Sequence, residues 1–479
     1  MDLLKKTSRG YFTLPRLLFA LLSACALVVT GCAGIPAGGN AQAPKNIIIM
    51  FADGAASTQW ELGKYSARHL RNESFAVTDV VFREGTLGML STHPANALVT
   101  DSAAAATAMS TGSKTNNDMI GMTPDGKPLR TLMETAKASG KRIGLVTTST
   151  VHDASPAAFS VHARSRRDSQ VIVDQMLALE PDVLMGGGRD YFLPQGTRGG
   201  KRIDGKDVVA AFAAKGYQVV QDPIALHNAS GPRLLALFAD HYMDFEIDRD
   251  PTREPSTAEM AAAALRLLSA NNPNGFVLFV ENESIDTAGH HNDAAALIRD
   301  LWAFDAAVQI ALDFQRRAHR DTLIIVTGDH ETGGLSVTSA LKQLAPYSTQ
   351  NYFYPDKTHL KMIMRIKSSL SRVAEVLGAK PSSEMLDKIV SHNFPGFILD
   401  SDLRAAILDQ QPIERNVTYS TEGALGRMIA RQTGFYWGTT GHTTEPVMVG
   451  AIGPGADLFR GYQDNTDFGK HLHRLINGR

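Results

Sequence analysis

The chain has 479 residues, of which 43% are hydrophobic and 20% charged, and its formal net charge at pH 7 is -1. This apolar content is typical of a chain that buries a core, which excludes a disordered protein, and the length suffices for one large domain or two ordinary ones. The near-neutral charge disfavours a protein that coats nucleic acid, and no nucleic-acid-binding module is expected. Two cysteines exclude a disulfide-rich scaffold and any cysteine-rich metal module.

The first 44 residues have the composition of an export signal followed by a tether. Basic residues precede a short apolar run over 17–30, which is typical of a signal peptide and too short to predict a membrane-spanning helix. The run ends in Val29-Thr30-Gly31-Cys32, which resembles a bacterial lipobox. We therefore expect a lipoprotein signal peptide over 1–31 and a lipid anchor on Cys32 as the sole membrane attachment; an ordinary signal peptide or an uncleaved anchor is the alternative. Residues 32–44 are small and polar, which predicts a flexible tether on an exported protein of the periplasm or cell surface.

From residue 46 onward, short apolar runs alternate with stretches of helical periodicity. The apolar runs are rich in β-branched residues, as in strands that are buried on both faces of a parallel sheet. The sequence therefore predicts an α/β fold, with a central, mostly parallel sheet in a three-layer α/β/α arrangement. In chain order, the predicted elements are a strand over 46–52, a helix over 129–139, a strand over 143–148, a helix over 169–179, strands over 183–186 and 276–280 with a helix over 257–270 between them, a helix over 293–317, and strands over 323–327 and 447–452.

Residues 340–433 interrupt this alternation. The stretch is richer in Lys, Ser and Tyr, lacks long β-branched runs and predicts amphipathic helices over 357–377, 382–390 and 402–409. We interpret it as a helical insertion near the C-terminal third, packed over the edge or the active face of the sheet. The alternative is that it contains further strands. The main domain then comprises residues 45–339 and 434–479.

Acidic residues and histidines adjoin four of the predicted strands. They are Asp53, then Glu281, Asp286 and His290, then Asp329, His330 and Glu331, and finally His442 before the last strand. Five carboxylates and three histidines at one edge of a sheet would repel strongly without cations among them. Imidazole and carboxylate ligands suit catalytic zinc, and an all-oxygen subset suits magnesium. Spacing alone does not choose between His290 and His291 as a ligand.

Ser102 is the candidate nucleophile. It lies where a polar turn enters an alanine-rich stretch, VTDSAAAATAM over 99–109, which is the position of a helix N-cap. Capping is the simpler explanation for a serine there. The alternative is that the helix N-terminus attracts an anionic phosphate and favours an ionised Ser102 oxygen, while the alanines leave room for a tetrahedral phosphoryl group.

Six blocks of the sequence resemble the alkaline phosphatase family. They are FADG (51–54), TDSAAAATAM (100–109), HDASPAAFSVHARSR (152–166), ENESIDTAGH (281–290), TGDHETGG (327–334) and TGHTTEPVMVGAIGPGADLF (440–459). They follow the family's order over most of the chain, and the resemblance is weakest over 188–255 and 340–433. It implies metal-dependent hydrolysis of small phosphate monoesters through a phosphoserine intermediate, with two Zn²⁺ and one Mg²⁺ as cofactors, in a homodimer.

The resemblance also implies three sets of metal ligands. One zinc ion would be held, together with the Ser102 oxygen, by Asp53, Asp329 and His330. The other zinc ion would be held by Asp286, His290 and His442, which selects His290 over His291. The magnesium ion would be held by Asp53, Ser155 and Glu281.

A phosphate clamp completes the implied site. Among Arg164, Arg166 and Arg167, the family's spacing selects Arg166 as the residue that binds phosphate, and Asp101 as the carboxylate that orients it. Asp153 and Thr287 would lie just outside the ligands. Family members usually carry Lys, His or Trp in place of Thr287, so we expect weaker binding of inorganic phosphate here.

Two other functions remain open on the sequence alone. A phosphodiesterase or nucleotide pyrophosphatase of the same superfamily usually has a threonine nucleophile and no third metal site, so Ser102, Ser155 and Glu281 favour a phosphomonoesterase. A surface lipoprotein that binds metal or phosphate without turnover would tolerate the loss of Ser102 or Arg166, yet both are present.

Overall fold

The computed structural model describes residues 43–342 and 351–478. In this part of the chain the strands are β1 (Asn46–Ala52), β2 (Thr86–Ser91), β3 (Arg142–Thr150), β4 (Val183–Gly187), β5 (Gln218–Val220), β6 (Leu234–Leu237), β7 (Phe276–Asn282), β8 (Thr322–Thr327), β9 (Glu331–Thr332), β10 (Leu335–Val337), β11 (Ala340–Leu341), β12 (Tyr352–Phe353), β13 (Phe435–Trp437), β14 (His442–Thr443), β15 (Val447–Ile452) and β16 (Gly461–Asp464). The predicted signal peptide, Cys32 and nearly all of the tether lie outside the described residues.

The same residues form helices that alternate with many of these strands. In chain order the helices are α1 (Ser57–Ser66), α2 (Ser102–Thr111), α3 (Leu132–Ala138), α4 (Ala154–Ser160), α5 (Ser169–Leu179), α6 (Val208–Ala214), α7 (Pro223–Asn228), α8 (Thr257–Ser269), α9 (Ser284–His290), α10 (Ala294–Ala318), α11 (Lys357–Ile363), α12 (Leu370–Leu377), α13 (Ser383–Asn393), α14 (Ser401–Leu408), α15 (Ser420–Thr433) and α16 (Asn465–Ile476). None of the helices in residues 43–342 and 351–478 has the length and apolarity to cross a membrane.

The central sheet has ten strands among the described residues, in the order β16-β2-β15-β8-β1-β7-β3-β4-β6-β5. Each neighbouring pair is parallel except for the two pairs that β15 makes with β2 and β8. Strand β15 is therefore the one antiparallel strand of the described sheet. The predicted α/β fold with a mostly parallel central sheet is confirmed.

Strand β1 illustrates why both faces of the sheet are covered. Its sequence is NIIIMFA, and all of its residues are buried. Because side chains alternate between the two faces of a strand, Ile48 and Met50 join one apolar cluster while Ile47 and Ile49 join the other. Helices α1, α8 and α10 contribute to the first cluster, and α2, α4 and α16 contribute to the second. The helices thus form a layer on each side of the sheet.

Several predicted boundaries differ from those of the structure. The strands over 46–52 and 447–452 have the predicted bounds, whereas β2, β5, β6 and β16 were not predicted. Strands β5, β6 and β16 are short, and β2 buries Thr86 and Gly88 while its Leu87 and Met89 are exposed. The single helix predicted over 357–377 is wrong, since α11 ends at Ile363 and α12 begins at Leu370. The break has a physical cause: the Asp248 carboxylate accepts a hydrogen bond from the Ser369 amide, and the Asp293 carboxylate accepts one from the Leu370 amide at 2.7 Å. These bonds satisfy the free amides at the start of α12.

The stretch over 340–433 contributes no strand to the central sheet within its described residues. Strands β11 and β12 pair only with each other there, and helices α11 to α15 follow. Buried side chains of these helices, such as Leu370, Leu386 and Met428, belong to the same apolar cluster as α8 and α10. The stretch therefore extends the helical layer on that face of the sheet.

Candidate metal and phosphate site

Most candidate residues follow neighbouring strands of the central sheet. Strand β1 lies between β7 and β8, and its Phe51 is in register with Glu281 on one side and Thr327 on the other. Because the three strands are parallel, the segments that follow them leave the sheet at the same edge. Asp53, which follows β1, and Asp329, which follows β8, therefore lie close together at that edge.

His442 reaches the same edge by a different route. It precedes its strand, which would place it at the opposite edge of an all-parallel sheet, but β15 is antiparallel. Strand β14 then pairs with β9, which sets His442 opposite Thr332. The rings of His442 and His330 stack, with their centroids 3.6 Å apart.

Asp53, Asp329 and His330 form one group of side chains whose ligand atoms lie within 4.8 Å of one another. The Nε2 atom of His330 is 3.2 Å from Asp329 Oδ2 and 3.5 Å from Asp53 Oδ1. All three side chains are buried, and Asp53 Oδ1 and both Asp329 carboxylate oxygens have no hydrogen-bond partner among the described residues. Buried carboxylate oxygens without partners are costly. A cation fits this group because it would satisfy them.

Burial and crowding also act on the proton affinity of these acids. Burial, together with the Asp329 and Asp286 carboxylates, raises the pKa of Asp53 well above its ordinary value. Burial raises the pKa of Asp329 to about 7. A divalent cation would compete with these protons and favour the ionised carboxylates.

Asp286, His290 and His442 form the second group that could hold a metal ion in the described chain. Asp286 and His290 are four residues apart on α9, so they share one face of that helix. Asp286 Oδ2 is 3.1 Å from His290 Nε2, and His290 Nε2 is 3.1 Å from His442 Nε2.

The backbone fixes the orientation of both imidazole rings. His290 Nδ1 lies 2.6 Å from the Thr440 carbonyl oxygen, and His442 Nδ1 lies 2.8 Å from the Thr100 carbonyl oxygen. A carbonyl only accepts, so each Nδ1 must carry the proton in a neutral ring. The Nε2 lone pairs of the two rings then face each other, an arrangement that a cation between them stabilises.

His291 lies outside both groups. Its ring packs edge-on against Tyr419, with centroids 4.9 Å apart, and also contacts Phe245. Burial lowers the pKa of His291 to about 4. Of the two adjacent histidines, the structure thus brings His290 to the candidate ligands and leaves His291 on the wall of the neighbouring cavity.

Ser155 and Glu281, the oxygen-bearing residues expected beside Asp53, are also buried. The Ser155 hydroxyl donates to Asp53 Oδ2 at 3.3 Å, and the Thr147 hydroxyl donates to Glu281 Oε2. Glu281 Oε1 is buried without a hydrogen-bond partner in residues 43–342 and 351–478. Burial and the neighbouring Glu283 carboxylate raise the pKa of Glu281 well above its ordinary value. This set offers only oxygen atoms, as magnesium prefers.

Ser102 is the first residue of α2 and does not cap it, so its interpretation as the N-cap is wrong. The N-cap is Asp101, whose Oδ1 accepts from the Ala104 amide at 2.9 Å. With the cap supplied by its neighbour, the Ser102 hydroxyl lies 3.2 Å from His330 Nε2. The serine oxygen therefore faces the first ligand group from the positive end of a helix.

Arg166 lies between two carboxylates beside Ser102. Its Nη2 donates to Asp153 Oδ1 at 3.0 Å, and its Nη1 is 3.6 Å from Asp101 Oδ2. Although burial acts in the opposite direction, these two carboxylates raise the pKa of Arg166 further. Arg164 and Arg167 are exposed, and only Arg166 of the three lines the cavity at the site.

A cavity of about 650 Å³ opens above these side chains. Its walls include Ser102, Arg166, Thr287, Tyr242, Arg372 and Tyr419. The Thr287 hydroxyl donates to Glu283 at 2.6 Å. Strand ends, a helix N-terminus and part of the 340–433 stretch thus enclose a space of the size that small ligands occupy.

Comparisons with known proteins agree with this geometry. The family model described as alkaline phosphatase matches residues 44–477. The chain belongs to the alkaline phosphatase family. It is 32% identical over 472 residues to the repressible alkaline phosphatase of Saccharomyces cerevisiae, covering 90% of this chain and 81% of that protein. It is also similar to the solved structure of Thermus thermophilus alkaline phosphatase, at 31% identity and a TM-score of 0.80, covering 93% of this chain and 95% of that one. The cold-active alkaline phosphatase of a psychrophilic Shewanella species matches at 33% identity and a TM-score of 0.74, covering 90% and 99% of the two chains.

The chain is therefore an alkaline phosphatase, a metal-binding hydrolase of phosphate monoesters. The phosphodiesterase alternative is not favoured, and small phosphomonoesters fit the family and the cavity. The remaining roles of the individual residues, the metal stoichiometry and the lipid anchor stay predictions.

The phosphatase also has site residues that sequence reasoning missed. Tyr242 lines the cavity, and its hydroxyl donates to Asp153 at 3.2 Å. Glu283 is half-buried next to Asp286, and desolvation together with the Asp286 carboxylate raises its pKa to about 8. Tyr242 lies in the stretch of weakest resemblance, five residues after β6. The apolar run at 234–237 was the available signal, because polar residues that follow a sheet strand are site candidates.

Proposed function

We propose that this alkaline phosphatase hydrolyses phosphate monoesters through a phosphoserine formed on Ser102, with two Zn²⁺ and one Mg²⁺ as cofactors. The position of the Ser102 hydroxyl carries the proposal. The hydroxyl oxygen lies 3.2 Å from His330 Nε2. It is not engaged in capping α2, because Asp101 is the N-cap residue.

The residues present fit three metal ions. One zinc ion would be held by Asp53, Asp329 and His330, and the other by Asp286, His290 and His442. The magnesium ion would be held by Asp53, Ser155 and Glu281, among which Asp53 Oδ1 and Glu281 Oε1 are buried without a hydrogen-bond partner in the described residues. When bound, such cations supply positive charge that lowers the pKa of a hydroxyl or water and neutralises developing negative charge.

The protein's own residues carry the bond changes. The Ser102 hydroxyl gives up its proton to solvent as its oxygen forms a bond to phosphorus. The bond between phosphorus and the ester oxygen breaks in line, and the departing alcohol takes up a proton from water. A water molecule then attacks the phosphoseryl phosphorus from the side that the alcohol left. This attack releases inorganic phosphate and restores the Ser102 hydroxyl. The transition state is loose, so alignment and charge stabilisation supply most of the acceleration.

Arg166 would hold the phosphoryl group during both steps. Its planar guanidinium can donate to two nonbridging oxygens at once, which the ammonium group of a lysine cannot do. Asp153 accepts a hydrogen bond from another of its N–H groups, Asp101 lies 3.6 Å from its Nη1, and both carboxylates favour the charged guanidinium. The Thr287 hydroxyl donates to Glu283 and brings no positive charge, which supports weaker binding of the phosphate product.

The test compares hydrolysis of p-nitrophenyl phosphate with that of bis(p-nitrophenyl) phosphate, with and without chelator. We expect preference for the monoester, loss of activity on chelation, and a loss on the order of 10³-fold or more in Ser102→Ala. Ser113→Ala, in the turn after α2, is the matched control and should retain activity. Acid-quenched wild type should yield a phosphorylated Ser102 peptide. Preference for the diester, or activity that survives in Ser102→Ala, would contradict the proposal.

Metal analysis tests the cofactors separately from turnover. The purified enzyme should contain two zinc ions and one magnesium ion per chain. His442→Ala should lose one zinc ion, whereas Glu281→Gln should lose magnesium and retain zinc. Equal metal content in wild type and His442→Ala would contradict the assignment of the second zinc site.

We also propose that the enzyme is exported as a lipoprotein anchored through Cys32, and that it forms a homodimer. The lipobox-like Val29-Thr30-Gly31-Cys32 supports the anchor. In bacteria labelled with a radioactive fatty acid, the wild type should be labelled and membrane-bound, Cys32→Ser should be neither, and Cys25→Ser is the matched control. Labelling that persists in Cys32→Ser would refute the anchor. Sedimentation of the soluble Cys32→Ser form at monomer mass would refute the dimer.

A further inference from the structure

We infer that Tyr242 is a positioning residue for the phosphate clamp: its hydroxyl holds Asp153, and Asp153 holds Arg166 in the orientation that binds phosphate. This inference rests on the proposed function, since it assigns Arg166 to the phosphoryl group. Tyr242 belongs to none of the six sequence blocks that resemble the alkaline phosphatase family.

The Asp153 carboxylate is held at both of its oxygens. Oδ2 accepts from the Ser149 hydroxyl at 2.7 Å and from the Tyr242 hydroxyl at 3.2 Å. Oδ1 accepts from the Ala154 amide at 2.7 Å and from Arg166 Nη2 at 3.0 Å. With donors on both oxygens, the carboxylate has one orientation, and the guanidinium that it binds is oriented with it.

The backbone around Tyr242 is anchored on both sides. The Gly188 amide donates to the carbonyl oxygen of His241 at 2.8 Å, and the Met243 amide donates to the carbonyl oxygen of Thr148 at 3.0 Å. A Cβ atom on Gly187 would lie 2.0 Å from the His241 carbonyl oxygen, so the loop can approach the end of β4 only because residue 187 is glycine. Hydrogen bonds to β3 and to the residue that follows β4 thus fix the loop that carries Tyr242.

Arg166 depends more on Asp153 than on its other carboxylate. Its distance to Asp101 Oδ2 is 3.6 Å, which is longer than a hydrogen bond, whereas Asp153 is hydrogen-bonded to it at 3.0 Å. The Thr287 hydroxyl, on the other side of the cavity, donates to Glu283 and not to Asp153. Among the side chains of the described ranges, Ser149, Arg166 and Tyr242 are the donors to Asp153.

Loss of the Tyr242 hydroxyl would remove one of the two hydrogen bonds to Asp153 Oδ2. Asp153 Oδ2 would keep only the Ser149 donor, so the orientation of the carboxylate, and of the Arg166 guanidinium bound to it, would be held less firmly. Tyr242 is 44% exposed, so a phenylalanine in its place opens no cavity in the core. A net hydrogen bond of ordinary strength corresponds to about a 3- to 10-fold change in affinity.

The test uses the metal-loaded enzyme and two readouts, kinetics on p-nitrophenyl phosphate and calorimetric titration with inorganic phosphate. In Tyr242→Phe we expect KM and the phosphate Kd to rise by about 3- to 10-fold, with a smaller change in kcat and unchanged metal content. Tyr462→Phe, on the exposed edge strand β16, is the matched control and should resemble wild type. Unchanged phosphate Kd in Tyr242→Phe would overturn the inference.

A double-mutant cycle separates positioning from direct contact with phosphate. If Tyr242 acts through Asp153, Tyr242→Phe should add no further loss of phosphate affinity in an Asp153→Ala background. A full additional loss in that background would overturn the inference, because Tyr242 would then bind phosphate itself or support the fold. The titration with phosphate also keeps this inference distinct from the proposed function, which fails on its own if wild type prefers the diester.

Discussion

Asp101 has two separable tasks at the start of α2, and substitutions can divide them. Its Oδ1 caps the helix by accepting from the Ala104 amide at 2.9 Å. Its Oδ2 accepts from the Asp118 amide at 2.9 Å and lies near Arg166. Asp101→Ala removes both functions, whereas Asp101→Asn keeps one oxygen for the cap and turns an amide NH₂ group towards two other donors.

The size of each effect follows from these contacts. Loss of the cap should cost about 1 kcal/mol of unfolding free energy, and loss of the bond to the Asp118 amide about another 1 kcal/mol. We therefore expect Asp101→Ala to be destabilised by about 2 kcal/mol and Asp101→Asn by about half of that. Both variants should bind inorganic phosphate more weakly, because Arg166 loses one of the two carboxylates between which it lies and is oriented less firmly.

The assay is denaturant unfolding at fixed zinc and magnesium concentrations, combined with phosphate titration of the folded variants. Asp168 offers a matched control, since it occupies the N-cap position of α5 without a side-chain cap hydrogen bond. Asp168→Ala should therefore leave the unfolding free energy within about 0.5 kcal/mol of wild type. Equal stability of Asp101→Ala and wild type would refute the cap, and unchanged phosphate affinity in Asp101→Asn would refute the contribution to the clamp.

Two further predictions concern charge at the site. Thr287→Lys should tighten inorganic-phosphate binding and increase product inhibition, since it adds a positive charge to the cavity wall, whereas Thr287→Val should do neither. Calorimetric titration with phosphate and inhibition kinetics measure the two effects. Unchanged phosphate affinity in the lysine variant would contradict the prediction. In the chelated protein, the folded-state pKa values of Asp329, Glu283 and His290 are raised to about 7, 8 and 9. The native state therefore retains protons that the unfolded state has lost, so its unfolding free energy should fall as pH rises from about 6.5 to 9, and urea titrations at several pH values should show this fall. The metal-loaded enzyme should not show it, because bound cations replace those protons.

Local patterns in the sequence were sufficient for much of this molecule. The run NIIIMFA predicted β1 with its observed bounds, because a strand buried on both faces must be apolar at every position. Asp286 and His290 are four residues apart, a spacing that allows a helical turn or a tight loop to aim both at one ion, and the structure places both on α9. The edge strand β16 was not predicted because it is short and polar. Strand β2 was not predicted because its exposed positions are Leu87 and Met89, so its apolar pattern does not follow its burial.

Only the tertiary structure decided the direction of β15 in the sheet and which of the candidate side chains meet. His442 precedes its strand, and it meets His330 because β15 runs antiparallel to β8, a choice made by long-range packing and not by the residues of β15. Asp101 caps α2 and leaves the Ser102 hydroxyl free to face the site because Asp101, and not Ser102, takes the extended backbone conformation of the N-cap. The contact of Tyr242 with Asp153 depends in the same way on where the loop after β6 lies. The sequence alone determined which chemical groups this enzyme carries. The packing of distant strands and loops determined which of them meet, because those contacts join residues that lie from 89 to 342 positions apart in the chain.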